Sequence, residues 1–597
     1  MEKVKFSPEV ISNGQKIIDS CMGHEDAFCQ SRCPMSTDVK TYVNLIGEKK
    51  YDKAIKVIRE QLFLPNTLGR ICAHPCEQNC RRNTDFNQPV AIAALKRFAA
   101  EQADDESIWD LTVAQETGKK VAIVGAGPAG AQAAIELRRK GHAVTIFEKL
   151  DVVGGMMRVG IPAYRLPRDI IDFEYTYLTK LGVEFKFGVE IGKDIQFEEL
   201  RSTFDAVLLA HGAHKGNIIP MSGHDASGVF AATEYLKEIS LEGSFPRAGK
   251  RVMVIGGGDV AMDCARSSFR IGATEVHQCS LESMENLPAS HEEIHESIEE
   301  GVSFNAGWGP LEILTEDGKV TGIKIQKIAS ILDAEGKFNP SYEGEAKVIA
   351  VDTVIMATGQ LVEDVTAGAL TQVRAGRYEV NKETLATSLN DVFVAGDAAG
   401  GFIVVEAMAL GRKAAISIDN FLNEKDLLAD RNLKTEWVYE TKLNVPLPEG
   451  TKDVARVHTN MRPAAERKLD FDQSDLGFSE EDAVKEASRC LECQCKLCMK
   501  ECVMMNDFGS CPKDMMETLV NDSKMEALLA YSCNACDNCT IVCPHTLPMK
   551  QIFIGSRKDF VKANKGESPM KGHASIKMHQ LLGFSKLFTT KIKGGRK

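Results

Sequence analysis

Twice in this chain an apolar stretch runs directly into a glycine-rich turn and then into a helical pattern, and that recurrence constrains the fold more than any other feature. The first is Val121-Ala-Ile-Val124 followed by Gly125-Ala126-Gly127-Pro128-Ala129-Gly130; the second is Val252-Met-Val-Ile255 followed by Gly256-Gly257-Gly258-Asp259-Val260-Ala261. In each, the glycines permit a tight turn and let a pyrophosphate approach the helix N-terminus. A second strand then ends on an acid: Glu148, with Lys149 beside it, in the first unit and Glu282 in the second. A carboxylate placed there accepts hydrogen bonds from an adenosine ribose, and the charge of Glu282 would repel a 2′-phosphate. The sequence therefore predicts NADH rather than NADPH at the second unit, with a solvated surface glutamate as the alternative. Further apolar strands at 205–210 and 352–357 alternate with helices, which predicts α/β architecture with largely parallel sheets.

The 18 cysteines are placed very unevenly. Cys21, Cys29, Cys33, Cys72, Cys76 and Cys80 lie near the N-terminus, Cys264 and Cys279 stand alone, and the other ten lie between Cys490 and Cys543. A secreted disulfide scaffold would be short and would scatter its pairs, whereas tight clusters at both ends of a large chain favour iron–sulfur or metal ligation in a reducing compartment. Cys533, Cys536, Cys539 and Cys543-Pro544 follow CxxCxxCxxxCP, the bacterial ferredoxin spacing, in which the fourth cysteine ligates the partner cluster. The preceding set is Cys495, Cys498 and Cys502, with Cys490, Cys493 and Cys511 competing as fourth ligand, so ten cysteines supply eight ligands with two spare. Zinc is the alternative for any CxxC pair. Cys264 and Cys279 are too widely separated for a flavin-facing dithiol.

The N-terminus carries no secretory h-region. The longest apolar stretch, 392–410, is interrupted by Asp397, Glu406 and a run of small residues, so no membrane span is expected and the cytoplasm is the default. From Arg557 onward eleven Lys or Arg face two acids. Ile576, Met578, Leu581, Leu582, Phe584, Leu587 and Phe588 in that basic tail fit an amphipathic helix that docks on a protein or an anionic surface, with a frayed tail as the alternative. No nucleic-acid partner is expected.

The ordered motifs Gly154-Gly155 with Arg158-Val-Gly-Ile-Pro162, Ala357-Thr358-Gly359, and Val392-Phe-Val-Ala-Gly396-Asp397 followed by Glu406 and Gly411-Arg412 resemble the flavoproteins related to the small subunit of glutamate synthase. The resemblance covers about residues 20 to 490 and includes an N-terminal cluster domain similar to that of dihydropyrimidine dehydrogenase. It implies that the first glycine unit holds FAD, with Asp397 bonded to its ribityl or pyrophosphate region, and that the second is a nicotinamide domain inserted between two halves of the FAD domain. Family members often carry Tyr-Arg-Arg after the second strand to grip an NADPH phosphate; Ser280-Leu281-Glu282 stands there instead, in agreement with NADH. The related N-terminal domain uses four cysteines and then three for two 4Fe–4S clusters. Here His24 takes a cysteine position, either as a ligand that would raise the cluster potential or as an ordinary polar residue, and Lys96 stands near where relatives can use Gln. One or two N-terminal clusters are expected. The C-terminal region resembles two-cluster modules of the heterodisulfide-reductase type, which deliver electrons to a separate chain.

The expected organisation is an α/β core of two Rossmann-like dinucleotide-binding domains, flanked by an α-helical N-terminal iron–sulfur domain and an α-helical ferredoxin-like C-terminal domain. Residues 1–118 form the N-terminal domain, 119–235 and 346–425 the halves of the FAD domain, 236–345 the NAD(H) domain, 426–480 a linker, and 481–597 the two-cluster domain with its basic tail. The expected activity is NAD(P)H:acceptor oxidoreduction, with FAD exchanging two electrons with nicotinamide and single electrons with clusters. A partner redox subunit or ferredoxin in a hetero-oligomeric complex would receive them. Alternatives are a glutamate synthase small subunit, an electron-bifurcating flavoprotein and a scaffold without turnover. No proton-transfer residue is nominated.

Overall fold

The computed structural model describes residues 4–21, 23, 27–401, 403–429, 431, 451–493, 497–500, 502–508, 510–543 and 545–583. His24, Cys495, Pro544, Phe584, Leu587 and Phe588 lie outside them.

Two parallel five-stranded sheets form the centre. The first has the spatial order Val392–Val394, Ala206–Leu209, Lys120–Val124, Ala143–Glu148, Glu184–Phe187. Its central strands are buried on both faces, which is why they read as unbroken apolar runs. Helices Pro128–Arg139 and Val404–Leu422 pack against each other beside it. The second sheet has the order Val229–Ala231, Thr353–Met356, Arg251–Ile255, Glu275–Ser280, Ser303–Ala306. The second unit is therefore inserted in the first, and its sheet reaches from 229 to 356, so the expected boundaries at 235 and 345 fall inside it. A short antiparallel pair, Lys215–Gly216 with Gln360–Leu361, ties the two crossing segments. An antiparallel meander of strands Trp308–Glu316, Lys319–Leu332 and Phe338–Ile349 extends the inserted unit, a feature the helix–strand alternation did not predict.

The two helical regions exchange their ends. Helix Pro8–Ser20 leaves the N-terminal region and packs on helices Pro512–Asp522 and Met549–Ala563. Phe6, Val10, Ile17 and Cys21 share a core there with Met505, Met516 and Phe553. Conversely, helix Glu480–Ala487 packs on Val39–Gly47 and Ile92–Ala103, and Ala483 and Ala487 join the core of the N-terminal body. Glu486 fixes that helix by accepting from the amides of Ala91 and Val457, each at 2.8 Å. The boundaries at 118 and 481 thus do not separate two self-contained cores. Local periodicity carries no information about which distant core buries such helices.

Among the described residues no helix is long and apolar enough to cross a membrane. Helix His573–Gly583 forms within the basic tail, and Ile576, Met578, Leu581 and Leu582 are exposed on it.

Candidate functional site

A cleft of about 1850 Å³ runs between the two sheets, larger than the roughly 300–1,000 Å³ of a site for one small ligand. From the first glycine unit it takes Gly125, Gly127, Pro128, Ala129, Glu148, Lys149, Gly155, Gly396 and Asp397; from the second it takes Asp259 and Val260. The carboxyl ends of both sheets feed it, as expected for an open α/β sheet.

The flavin-type turn is tightly packed at Gly125, Gly130 and Gly155. A Cβ on Gly130 would lie 2.2 Å from the Gly125 carbonyl oxygen, and one on Gly155 would lie 2.9 Å from Gly127 Cα. Glycine at these positions lets the turn close on its helix and lets the Gly154-Gly155 loop meet it, an approach secured by the Gly154 amide donating to the Ala126 carbonyl at 3.0 Å. The Glu148 carboxylate accepts from the amides of Ala126 (2.8 Å) and Leu150 (2.9 Å). Burial raises it and those amides oppose the rise. Each oxygen keeps acceptor capacity for a ribose. Burial likewise pushes Asp397 up to about 6, against the Ala213 amide and Arg377.

Other predicted residues support the cleft without lining it. Arg158 donates to Asp172 and to the Val153 carbonyl. Thr358 and Gly359 are bonded to Asn217 where the chain crosses between sheets, and Glu406 stands in the first turn of helix Val404–Leu422. In the second unit Gly256 is required by its φ of +144° and by the Ala357 carbonyl, 2.4 Å from where its Cβ would sit. Around Gly258 there is open space, Ala261 is fully buried, and Asp259 accepts from the Ser290 amide at 2.8 Å. The strand expected to end on Glu282 ends at Ser280, two residues earlier, but the Glu282 carboxylate still lies 3.1 Å from where a Gly257 Cβ would be, beside the glycine turn.

Sequence reasoning missed His211 and His214, which follow strand Ala206–Leu209 into the cleft. Burial pushes them down to about 4 and about 3, so both rings are neutral near pH 7. The only signal for them was their place at a strand's carboxyl end. Also missed was a buried ion network joining the two units. Arg165 bridges Asp263 and Glu293, each at 2.8 Å, and Glu300 receives Arg266 (2.8 Å), Arg270 (2.7 Å) and Arg467 (3.1 Å).

The described cysteines are all free thiols, and most of them gather in groups. Cys29, Cys80, Cys490 and Cys493 line one apolar pocket. Cys33, Cys72 and Cys76 are electrostatic neighbours of one another, near buried Lys96, and Cys72 also lines the large cleft. Cys21, Cys498, Cys511, Cys539 and Cys543 line a third pocket, and Cys539 is also close to Cys502 and Cys533. Cys536 is exposed. The expectation that Cys21 groups with Cys29 and Cys33 does not match this arrangement: Cys21 is bonded to Cys511 in the other core. Cys490 and Cys493, expected to compete for the C-terminal set, face the N-terminal one. Cys264 and Cys279 are buried in the inserted unit, where Cys279 donates to the Trp308 carbonyl.

Among the described residues no three His, Cys, Asp or Glu side chains converge on one point. A 4Fe–4S cube takes its thiolates at separate corners, farther apart than the ligands of one ion, and thiol groups lining apolar pockets are the donor set it uses. Burial pushes Cys490 up to about 11 and Cys493 up to about 12; iron bound there would supply the positive charge that such groups need to stand as thiolates.

A first glycine turn and the helix start after a second over one cleft, with Cys72 at its edge and further thiol groups in the helical regions, define a flavin- and pyridine-nucleotide-dependent oxidoreductase that carries 4Fe–4S clusters. Residues 119–415 match the pyridine nucleotide-disulphide oxidoreductase family, 9–108 the dihydropyrimidine dehydrogenase domain II 4Fe–4S family, and 489–548 the 4Fe–4S dicluster domain. The NADP(+)-dependent formate dehydrogenase subunit beta of Moorella thermoacetica is 36% identical over 78% of this chain and 70% of its own length. The NADPH-Fe(3+) oxidoreductase subunit beta of Geobacter sulfurreducens is 34% identical, covering 78% and 75%. The glutamate synthase (NADPH) small chain of Escherichia coli is 33% identical, covering 71% and 95%. The chain belongs to the glutamate synthase small-subunit-like family of FAD/NAD(P) oxidoreductases.

Proposed function

We propose that this chain is the NAD(P)H-handling subunit of a redox complex, passing electrons between a nicotinamide, FAD and cysteine-ligated clusters to a partner subunit or ferredoxin. One observation carries this reading: the first glycine turn, Asp259 and Val260 at the start of the helix after the second turn, and Cys72 border the same cleft, so hydride and electron traffic share one space. Bound FAD supplies the exchange between a two-electron hydride and single electrons. The chain's own part is positional. Gly125, Gly127 and Gly155 admit a pyrophosphate, Glu148 holds a ribose, and neutral His211 and His214 border the cleft without adding charge. The Cys33, Cys72 and Cys76 group stands nearest as the first relay.

The choice of NADH over NADPH rests on Glu282 beside Gly257 and on Ser280-Leu281-Glu282 in place of basic residues. The relatives cited above carry NADP in their names, and at this position the chain departs from the family's basic sequence. Those relatives are named as subunits or chains, which suits a separate redox partner. The exposed apolar residues of helix His573–Gly583 suit docking of that partner.

The purified chain with FAD bound should reduce a viologen dye with NADH, and more slowly with NADPH. A flavin-loaded, iron-loaded chain that turns over neither nucleotide would overturn the reading.

A further inference from the structure

We propose that Cys29, Cys80, Cys490 and Cys493 are the four ligands of one 4Fe–4S cluster, built from both ends of the chain. This deepens the function proposed above and rests on its cluster reading. All four thiols line a single pocket walled by Val39, Val43, Val90 and Ile92. A cubane needs four thiolates around an apolar hollow, and each thiol releases its proton when iron binds.

Cys21, the cysteine that precedes Cys29 in the sequence, is not available to this pocket. Cys21 is buried in the other helical core, bonded to Cys511. In contrast, Cys490 and Cys493 follow a helix fixed on the N-terminal body. Arg489 donates to the carbonyls of Gln88 (2.7 Å) and Pro89 (3.2 Å), and Arg82 donates to the Arg489 carbonyl. The Cys490 amide donates to the Ala487 carbonyl at 3.0 Å. This seam is a built structure, and it places the two thiols from outside the N-terminal sequence.

The assignment also resolves the surplus of C-terminal cysteines. With Cys490 and Cys493 committed here, eight C-terminal cysteines remain (Cys495, Cys498, Cys502, Cys511, Cys533, Cys536, Cys539 and Cys543), enough for two four-thiolate clusters, with Cys21 a ninth thiol in the same core. The seam cluster also stands between two stations. Cys29 and Cys33 bracket one short helix, Phe28–Arg32, so the Cys33, Cys72 and Cys76 group at the flavin cleft is its neighbour on one side. Past Cys493 the chain enters the dicluster module on the other. Electrons leaving the cleft would cross the seam on this cluster.

The test uses the full-length, cluster-loaded chain and measures iron, acid-labile sulfide and FAD per chain, with electron paramagnetic resonance of the reduced protein. Cys490→Ser with Cys493→Ser should remove about four irons and one resonance while FAD is retained. Cys80→Ser should remove the same resonance, and the triple variant should lose no more than either. Cys21→Ser should keep that resonance. The proposal is overturned if the triple variant loses two clusters, if Cys21→Ser abolishes the signal lost in Cys80→Ser, or if the Cys490/Cys493 loss coincides with that of Cys536→Ser. Should the double variant fail to fold, the Cys80→Ser and Cys21→Ser pair decides alone. Wild-type protein with FAD but no iron would sink the proposed electron path as well; wild-type protein with its full iron and the wrong pattern of losses would sink only this ligand set.

Discussion

The two glycine turns follow one plan and carry different loads. In the first, Cβ atoms added at Gly125, Gly130 or Gly155 would meet backbone at 2.6, 2.2 and 2.9 Å, while one at Gly127 would touch only Gly155 Cα, at 4.0 Å. In the second, Gly256 is similarly hemmed in, but Gly258 faces open space and Ala261 already bears a side chain. A closed turn suits a flavin that stays bound through every cycle, and an open one suits a nicotinamide that must enter and leave. The same motif thus serves as a grip in one unit and as a landing site in the other, and substitutions in the two should diverge accordingly.

The largest difference is expected at Gly130. With its Cβ directed at the Gly125 carbonyl oxygen 2.2 Å away and 3.1 Å from the Ile123 side chain, Gly130→Ala must displace backbone first. Strain of about 1–3 kcal/mol corresponds to a roughly ten- to hundredfold loss of flavin affinity. Flavin absorbance per chain after desalting measures it, and full retention of FAD would show that the turn has slack.

Next is the junction that holds the second unit to the first. Arg266, Arg270 and Arg467 are buried around Glu300, and Arg266 and Arg270 also lie over the Tyr164 ring at 4.6 and 3.8 Å. Burial alone would raise the Glu300 carboxyl, but bonds from Arg270 and Arg266 hold it down at about 2. Glu300→Gln keeps the shape and removes the charge, leaving buried cations short of a partner at a cost of about 3–5 kcal/mol. Thermal unfolding should begin roughly 10 °C earlier with flavin content unchanged at low temperature. An unaltered melting curve would mean that this network adds nothing to how the inserted unit is held.

These two sites also mark what the amino-acid sequence makes legible. Gly125 to Gly130, Glu148 and the helix that follows interact within one local stretch, so spacing alone locates them. Glu300 meets Arg467 only because residues 451–479 fold back over the inserted unit, and no periodicity encodes that return. The cysteines divide in the same way. The CxxCxxCxxxCP run reads directly as a cluster motif, whereas the grouping of Cys29 and Cys80 with Cys490 and Cys493 depends on two exchanged helices. Sequential proximity suggested Cys21 as the partner of Cys29, and tertiary packing placed it with Cys511 instead.

Glu282 gives a smaller contrast that bears on selectivity. Its carboxylate stands beside Gly257, and a 2′-phosphate brought there would meet its charge. Glu282→Arg should shift the ratio of kcat/KM for NADPH over NADH upward by about tenfold, equivalent to about 1.4 kcal/mol, without altering flavin content. A ratio that does not move would remove Glu282 from the ribose position, and with it the main support for NADH.

The smallest effect on stability is expected at Gly258. Its φ of −92° is open to any residue, and an added Cβ meets nothing within 4 Å. Gly258→Ala should therefore fold, bind FAD and melt as the parent does. A methyl group at the helix N-terminus, however, stands where the nicotinamide pyrophosphate must approach its backbone amides. KM for the nucleotide should rise while flavin content stays constant, the reverse of the pattern at Gly130. If Gly258→Ala instead lost flavin, the two turns would not be independent, and the distinction between a closed grip and an open landing site would fail.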